Sequence, residues 1–289
     1  MNDPLLIGVD LGGTNVRSGL VHGENLIKTS SIKISSEGTS DKVISEIIQC
    51  IDDVFNKDVK SIGIGVPGIL DTKQGIVYDV QNIPSWKEIH LKSIIQQHFN
   101  VPVYLNNDAN CFAAGEWHYG RGKGYSNVAG LILGTGVAAG LILNNKLYEG
   151  RNCGAGEFGM LPYLNHNLEY YCSGNYFKQA HNSTGEQISL DAQNGDYKAL
   201  DIFAQYAKHL SFAIKAVLYT VDPDIIILGG SVSKAFEYFK EPLMQNLQDF
   251  PYKPVIKNIL IEQSLIENVA ILGAAALFFD SNPLENQHF

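Results

Sequence analysis

Three short segments hold the residue types that could do chemistry. The first is Asp10-Leu-Gly-Gly-Thr-Asn15, set between two strand-like runs. Gly12 and Gly13 lack a Cβ, so their backbone can approach a phosphate closely and offer N–H groups, and the Thr14 hydroxyl adds a donor. Asp10, at the strand end, can hold Mg2+ through water, because that ion keeps most of its hydration and takes few carboxylates. Taken alone, the segment reads more readily as an ordinary Gly-rich hairpin. The second segment, Gly134-Thr135-Gly136, reverses that preference, since two facing glycine hairpins can clamp a triphosphate from both sides. The third is Leu105-Asn106-Asn107-Asp108-Ala109-Asn110, after the apolar Val101 to Leu105 and before the helix-like Ala109 to Trp117. A carboxylate at such a strand-to-helix junction can accept the proton of a sugar hydroxyl as a phosphoryl group leaves ATP. The plain alternative for Asp108 is a helix N-cap. Asn107 beside it weighs against that alternative, because an Asn–Asp pair can grip vicinal hydroxyls.

These segments need a scaffold that brings two glycine turns together, and an approximate internal duplication supplies one. Leu5 to Ile27 reads strand, Gly-rich turn, strand, polar turn (His22 to Asn25), then the start of another strand. Val128 to Tyr148 repeats that order, with Asn144 and Asn145 at the second turn. Ser61 to Gly68 and Asp224 to Gly230 are each a β-branched run ending in glycine. Two similar α/β domains account for both echoes. Between the strands, Val43, Ile44, Ile47, Ile48, Ile51, Val54 and Phe55 recur at helical spacing behind a Ser40 N-cap. Phe203 to Leu218 does the same, and Asp222-Pro223 stops that helix. Ala270 to Phe279 predicts a buried helix crossing back to the first domain, and Ser281 to Phe289 a loose tail. The expected domains are 1–108 together with 273–289, and 109–272.

Bulk properties narrow the class. A chain of 289 residues with 45% hydrophobic content can fill more than one domain, and a formal charge of −9 offers no long-range attraction to nucleic acid or anionic lipid. Cys50, Cys111, Cys153 and Cys172 never form the paired clusters of zinc or redox sites, and are expected to be reduced core thiols in a cytoplasm. No basic segment and apolar stretch precede Leu5, so no signal peptide is expected. The apolar Val128 to Leu143 carries glycines and is too short to cross a bilayer, so it predicts two strands around a turn.

The segments DLGGTN, GIGVPGILD, NNDANCFAAGE, LILGTGVAAGLIL, GAGEFG, LEYYCSG, DIIILGG and ILGAAAL resemble, in this order and over nearly the whole chain, those of the ROK (repressor, open reading frame, kinase) family. The resemblance implies an α/β, two-domain actin-like ATPase (ribonuclease H-like) fold with duplicated domains and an interdomain cleft. It implies an ATP- and Mg2+-dependent sugar kinase, glucokinase-like, phosphorylating a hexose at O6 with Asp108 as base. Alternatives within it are a kinase of N-acetylglucosamine, N-acetylmannosamine or fructose. Asn82, Asn107, Glu157 and Glu169 would bind sugar, with Gly65, Pro67 and Gly68 lining that side, and Gly229 and Gly230 would lie against the adenosine. A homodimer is also implied.

Two departures stand out. The histidine that usually follows the family's GAGE-x-G segment is Met160 here, and the cysteine loop that joins it in holding a structural zinc is missing. No zinc is expected, and the aromatic residues Tyr163, Tyr170, Tyr171, Tyr176 and Phe177 are expected to pack in its place. The loss of the imidazole puts the usual preference for glucose in question. Among rivals, Gly63, Gly65 and Gly68 fit the G-x-G-x-x-G of a nicotinamide enzyme, but a turn-like segment follows where that motif needs a helix. A repressor needs a DNA-binding module, for which no room is expected ahead of Asp10. A polymerising actin-like ATPase would not need the hydroxyl-gripping pairs.

Overall fold

The structure is a computed structural model describing residues 3–282 of the chain. In chain order its elements are β1 (Leu5–Leu11), β2 (Asn15–His22), β3 (Asn25–Lys33), α1 (Ser40–Asp52), β4 (Ser61–Val66), β5 (Ile69–Asp71), β6 (Ile76–Tyr78), β7 (Glu88–Ile89), α2 (Leu91–Phe99), β8 (Val103–Asn107) and α3 (Asp108–Tyr119). There follow β9 (Val128–Leu133), β10 (Val137–Ile142), β11 (Pro162–Tyr163), β12 (His166–Asn167), α4 (Leu168–Cys172), α5 (Asn175–His181), α6 (Gly185–Gln193) and α7 (Tyr197–Thr220). The chain ends with β13 (Ile225–Gly229), α8 (Phe236–Asn246), α9 (Lys253–Asn258), β14 (Leu260–Gln263) and α10 (Val269–Ser281).

Two compact units result. The first joins Met1–Lys123, Lys146–Ala155 and Ile266–Phe289, and the second joins Gly124–Asn145 and Gly156–Leu265. The expected division differs from this one at three places: residues 109–123, which include all of α3 but Asp108, the Lys146–Ala155 segment and residues 266–272 all fall in the first unit. Of the tail expected from Ser281 to Phe289, Ser281 instead ends α10, and residues 283–289 lie outside the described residues.

The first unit is built on a sheet of order β3-β2-β1-β4-β8, antiparallel from β3 to β1 and parallel from β1 to β8. Along β1 the side chains alternate: Ile7, Val9 and Leu11 join the core beneath α1 and α2, while Leu6 faces α10. Gly8 and Asp10 share that second face. The helix on it comes very close, because a Cβ at Gly8 would lie 1.8 Å from the Ile271 carbonyl oxygen and one at Gly63 1.7 Å from that of Ala274. Only glycine permits this contact, which is the physical reason that the alanine-rich end of the chain returns here. α1 starts at Ser40, one residue earlier than the expected Ser40 cap implies, and its cap is Thr39, whose Oγ1 accepts from the Lys42 N–H at 3.3 Å. The Ser40 hydroxyl is spent elsewhere, donating to the Ser85 carbonyl at 2.8 Å.

The second unit has a sheet of order β10-β9-β13-β14, antiparallel between β9 and β10 and parallel thereafter. This matches β2-β1-β4-β8 of the first unit strand for strand, so the duplication is visible in topology. Among the described residues the counterpart of β3 is reduced to a single bridge residue, Leu147. Asn144 and Asn145 both adopt left-handed backbone, with φ of 53° and 61°, and the chain beyond them joins the first unit. The core of the second unit forms around α7, through Phe203, Tyr206, Leu210, Ile214 and Val217. That helix ends at Thr220, two residues before Asp222-Pro223. The apolar Val128 to Leu143 is the β9–β10 hairpin, and no helix among the described residues is long and apolar enough to cross a membrane.

Candidate active site

In the first unit the parallel strands end together. Asp10 lies opposite Gly65, and Gly65 opposite Asn106, so Asp10 and Asn106 stand two strand spacings apart, roughly 10 Å. Position 65 between them must be glycine because Cys111 packs over it: a Cβ there would come within 3.1 Å of Cys111 Sγ. Each glycine of the G-x-G-x-x-G run thus has its own packing or turn reason, and the residues after Gly68 form the β5–β6 hairpin instead of a helix. Asp10 Oδ2 accepts from Arg17, its cross-strand neighbour, through Nε at 3.2 Å and Nη2 at 2.5 Å. In the following turn the Gly12 N–H donates to the Asn15 carbonyl at 2.9 Å, which closes the loop on itself. A Cβ on Gly13 would lie 2.8 Å from Asn82 Cβ, so the expected phosphate loop and the exposed Asn82, an expected sugar ligand, are neighbours.

Asn107 caps α3, with Oδ1 accepting from the Asn110 N–H at 2.7 Å and Nδ2 donating to the Cys153 carbonyl at 3.0 Å. Asp108 is therefore the first helical residue and not the cap. Its Oδ1 accepts from the Ala109 N–H at 2.9 Å, and the side chain is otherwise exposed. Surrounding protein bulk and the charge of Asp10 together push its carboxyl above the usual aspartate range, against the opposing pull of the Ala109 N–H. Such a carboxylate binds a proton more readily than a free aspartate. Gly68, with φ of 98°, lies in left-handed backbone after β4, and Pro67 precedes it.

In the second unit the Gly134-Thr135-Gly136 turn is braced from several sides. Gly134 N–H donates to Gly136 O at 3.0 Å, Gly174 N–H to Gly134 O at 2.7 Å, and Asn175 Nδ2 to Thr135 O at 3.1 Å. Glu169 Oε2 accepts from the Val137 N–H at 3.0 Å, which places this expected sugar ligand against the expected phosphate turn. Glu157 is exposed just before the short helical turn Phe158–Met160. A cavity of about 530 Å³ opens beside the turn, with Gly134, Thr135, Gly174 and Asn175 on one side, Phe177, Leu190 and Phe203 as an apolar wall, and Ser231, Val232, Lys234 and Ala235 on another. Lys178 also lines it, and the last group follows directly on Gly229 and Gly230. An apolar slot with a polar rim and two lysines suits a flat heterocycle carrying phosphates. Lys178, Lys234 and Asn175 were not legible as site residues, although Lys234 lies only four positions beyond Gly230.

Where the family's zinc loop would stand, β11 and β12 form a small hairpin. His166 stacks on Tyr170 with ring centroids 3.8 Å apart, Tyr163 meets Tyr171 edge-on at 5.3 Å, and the Tyr163 hydroxyl lies 3.2 Å from His209 Nδ1. Tyr176 and Phe177 pack deeper, against Tyr206. Met160 is 52% exposed.

Among the described residues no group of three His, Cys, Asp or Glu side chains could hold a metal ion. Asp10 alone fits the way Mg2+ is usually held by nucleotide enzymes, through one carboxylate, water and the phosphates themselves.

Comparison with known proteins agrees with this picture. The ROK family model matches residues 6–281. The glucokinase of Thermotoga maritima is 30% identical over 306 residues, covering 94% of this chain and 96% of that protein. The crystal structure of a ROK family glucokinase from Streptomyces griseus, in complex with glucose and AMPPNP, superimposes with a TM-score of 0.79 at 28% identity, covering 94% of this chain and 98% of the other. The xylose repressor of Bacillus subtilis is 27% identical over 297 residues, which are 95% of this chain but 77% of the repressor. The fold is that of the ROK sugar kinases, the actin-like ATPase fold. With its motif order, its duplicated sheets and a family match running from residue 6 to residue 281, the chain belongs to the ROK family.

Proposed function

We propose that the chain is an ATP-dependent hexose kinase in which Asp108 is the general base. The observation that carries this reading is the Asp108 carboxylate itself: accessible, set on the first turn of a rigid helix beside the end of β8, and raised in basicity by the protein bulk around it and by Asp10. A sugar hydroxyl, O6 of a hexose, gives its proton to Asp108 as its oxygen bonds to the γ-phosphorus. The bond from that phosphorus to the β,γ-bridging oxygen breaks, and ADP leaves with the electron pair. Asn107, Asn82 and the Gly68 turn on the first unit, and Glu157 and Glu169 on the second, are assigned to the sugar. The cavity beside Gly134–Gly136, with Gly229 and Gly230 behind it, is assigned to adenosine, and Gly12, Gly13 and Thr14 to the phosphates. Mg2+, associated with Asp10 through water, would neutralise charge on the phosphates; Arg17 already offsets one oxygen of that carboxylate. A cytoplasmic homodimer without zinc completes the reading, supported by four buried free cysteines and by the aromatic contacts of the β11–β12 region.

The test is ADP release, coupled to a spectrophotometric readout, with glucose, mannose, fructose, N-acetylglucosamine and N-acetylmannosamine. Sugar-stimulated release with at least one of them is expected, and the ranking identifies the substrate. A second reading, a sugar-binding protein without turnover, is favoured by the similarity to the xylose repressor over 95% of this chain. Saturable sugar binding without ADP release would support that reading and exclude the kinase.

A further inference from the structure

The segment Lys146–Ala155 follows β10 in sequence but belongs to the first unit, and it fastens the end of β8 from two directions. Glu149 accepts from Asn106 Nδ2 at 2.7 Å and from the Thr72 hydroxyl at 2.9 Å. Thr72 sits in the β5–β6 turn that follows Gly68, so one carboxylate joins that hairpin to the strand leading into Asp108. From the other direction, Cys153 Sγ donates to Asn106 Oδ1 at 3.1 Å and accepts from Asn110 Nδ2 at 3.6 Å, while its carbonyl accepts from Asn107 Nδ2. Burial pushes this thiol up to about 11, so it keeps the proton that it donates.

These bonds settle which way the Asn106 amide points. Asn106 is 1% exposed, and its Oδ1 accepts from the Asn107 N–H at 2.9 Å, from Asn110 Nδ2 at 2.8 Å and from the thiol. Turned over, the amide would present N–H groups to three donors and its oxygen to a carboxylate. Glu149 and these three donors together forbid that flip. Cys153 also sits in left-handed backbone, with φ of 55°, a conformation that L side chains adopt at a cost. Glycine would fit that backbone better, so a side chain kept there against strain is best explained by what its sulfur holds.

We propose that Glu149 and Cys153 are positioning residues for the phosphoryl acceptor: through Asn106 they hold the Asn107 amide and aim the Asp108 carboxylate at the sugar hydroxyl. This rests on the reading of Asp108 as the base. It predicts an effect on sugar kinetics that stability alone would not produce.

The experiment is steady-state kinetics and thermal melting of Glu149→Ala, Glu149→Gln, Cys153→Gly and Cys153→Ser beside the unmodified chain. Glu149→Ala is expected to lower kcat/KM for sugar on the order of 10²-fold, the cost of misplacing a reacting group by about 1 Å, while KM for ATP stays unchanged. Glu149→Gln, which can still accept from Asn106, recovers most of the loss. Cys153→Gly is expected to melt no lower than the parent yet to turn over more slowly with a raised sugar KM, and Cys153→Ser to recover part of that activity. If Glu149→Gln and Cys153→Gly show parental kinetics, or if Cys153→Gly loses stability and activity in parallel, the positioning role is wrong while the kinase stands. If the unmodified chain releases no ADP with any sugar, the reading of Asp108 fails, and this inference fails with it.

Discussion

Replacing Asp108 by asparagine separates chemistry from folding. Asparagine has nearly the same shape, and its Oδ1 can still accept from the Ala109 N–H that Asp108 engages at 2.9 Å, so the start of α3 is preserved. What disappears is the group that takes the proton. General-base catalysis contributes about 10²–10⁴-fold, which at 1.36 kcal/mol per tenfold is about 3–5 kcal/mol of transition-state stabilisation. Turnover should fall by that factor in the ADP-release assay, with little change in KM for ATP. The same side chain carries a stability signature of opposite sign. Its folded-state carboxyl is raised by the surrounding protein bulk and by the Asp10 charge, so its favourable contribution is fully present below the ordinary aspartate value near ~3.9 and is lost as pH rises through the folded value. Above that folded value the ionised group therefore works against the fold, weakly because it is accessible to solvent. Asp108→Asn should melt at or slightly above the parent at pH 7, with the difference closing as pH falls toward 4. The acid limb of kcat/KM for the parent should lie above the ordinary aspartate value. A variant with parental turnover would refute the assignment of the base; one that is less stable than the parent at pH 7 but equal near pH 4 would refute the electrostatic argument.

Four further outcomes are expected. Arg17 holds an oxygen of Asp10, so Arg17→Met should reduce the Mg2+ concentration needed for half-maximal activity and move the acid limb of kcat/KM upward, because Asp10 then repels the Asp108 charge uncompensated; a magnesium titration and a pH profile read both. Gly273→Ala would put a Cβ 1.7 Å from the Cys111 carbonyl oxygen at the α3–α10 crossing, and should destabilise by about 1–3 kcal/mol or more in chemical denaturation, as overpacking does. Tyr163→Phe removes the contact to His209 Nδ1 and should cost about 1 kcal/mol at pH 8. His209 is lowered by burial, so the stability that its neutral ring supports is present above about 6.5 and lost as pH falls through the lower folded value, and the Tyr163→Phe difference should shrink accordingly. A chelator should leave the parent's melting temperature unchanged, and elemental analysis finding one zinc per chain would contradict the proposed role of these aromatic contacts.

Much of the scaffold was legible because it rests on local patterns. The glycine turns between paired strands, the β-branched runs ending in glycine, and the 3.6-residue spacing before Asp222-Pro223 each follow from steric limits that act within a few residues. The third strand of the second repeat did not form although its turn did. Asn144 and Asn145 make the turn, but Leu147 then packs beside Cys111, Ala274 and Leu277 of the first unit, a partner far away in sequence. Likewise Ser40 looked like a cap and Thr39 is one, because a Ser85 carbonyl 45 positions away takes the Ser40 hydroxyl.

For the site, the order of residues alone set which groups are present and where each sits on its element: a carboxylate ending β1, an Asn-Asp step from strand into helix, a second Gly-Thr-Gly turn, and no histidine at Met160. Those are properties of covalent sequence and backbone geometry. Tertiary structure alone decided how each group is employed. Asn107 is the helix cap and Asp108 the free carboxylate beside it; Glu169 braces a turn; Lys178 and Lys234 line a cavity; Glu149 and Cys153 hold Asn106. Apart from the local cap bond of Asn107, these depend on hydrogen bonds and packing between residues tens of positions apart, and a side chain's pKa or orientation follows from such neighbours rather than from its own type.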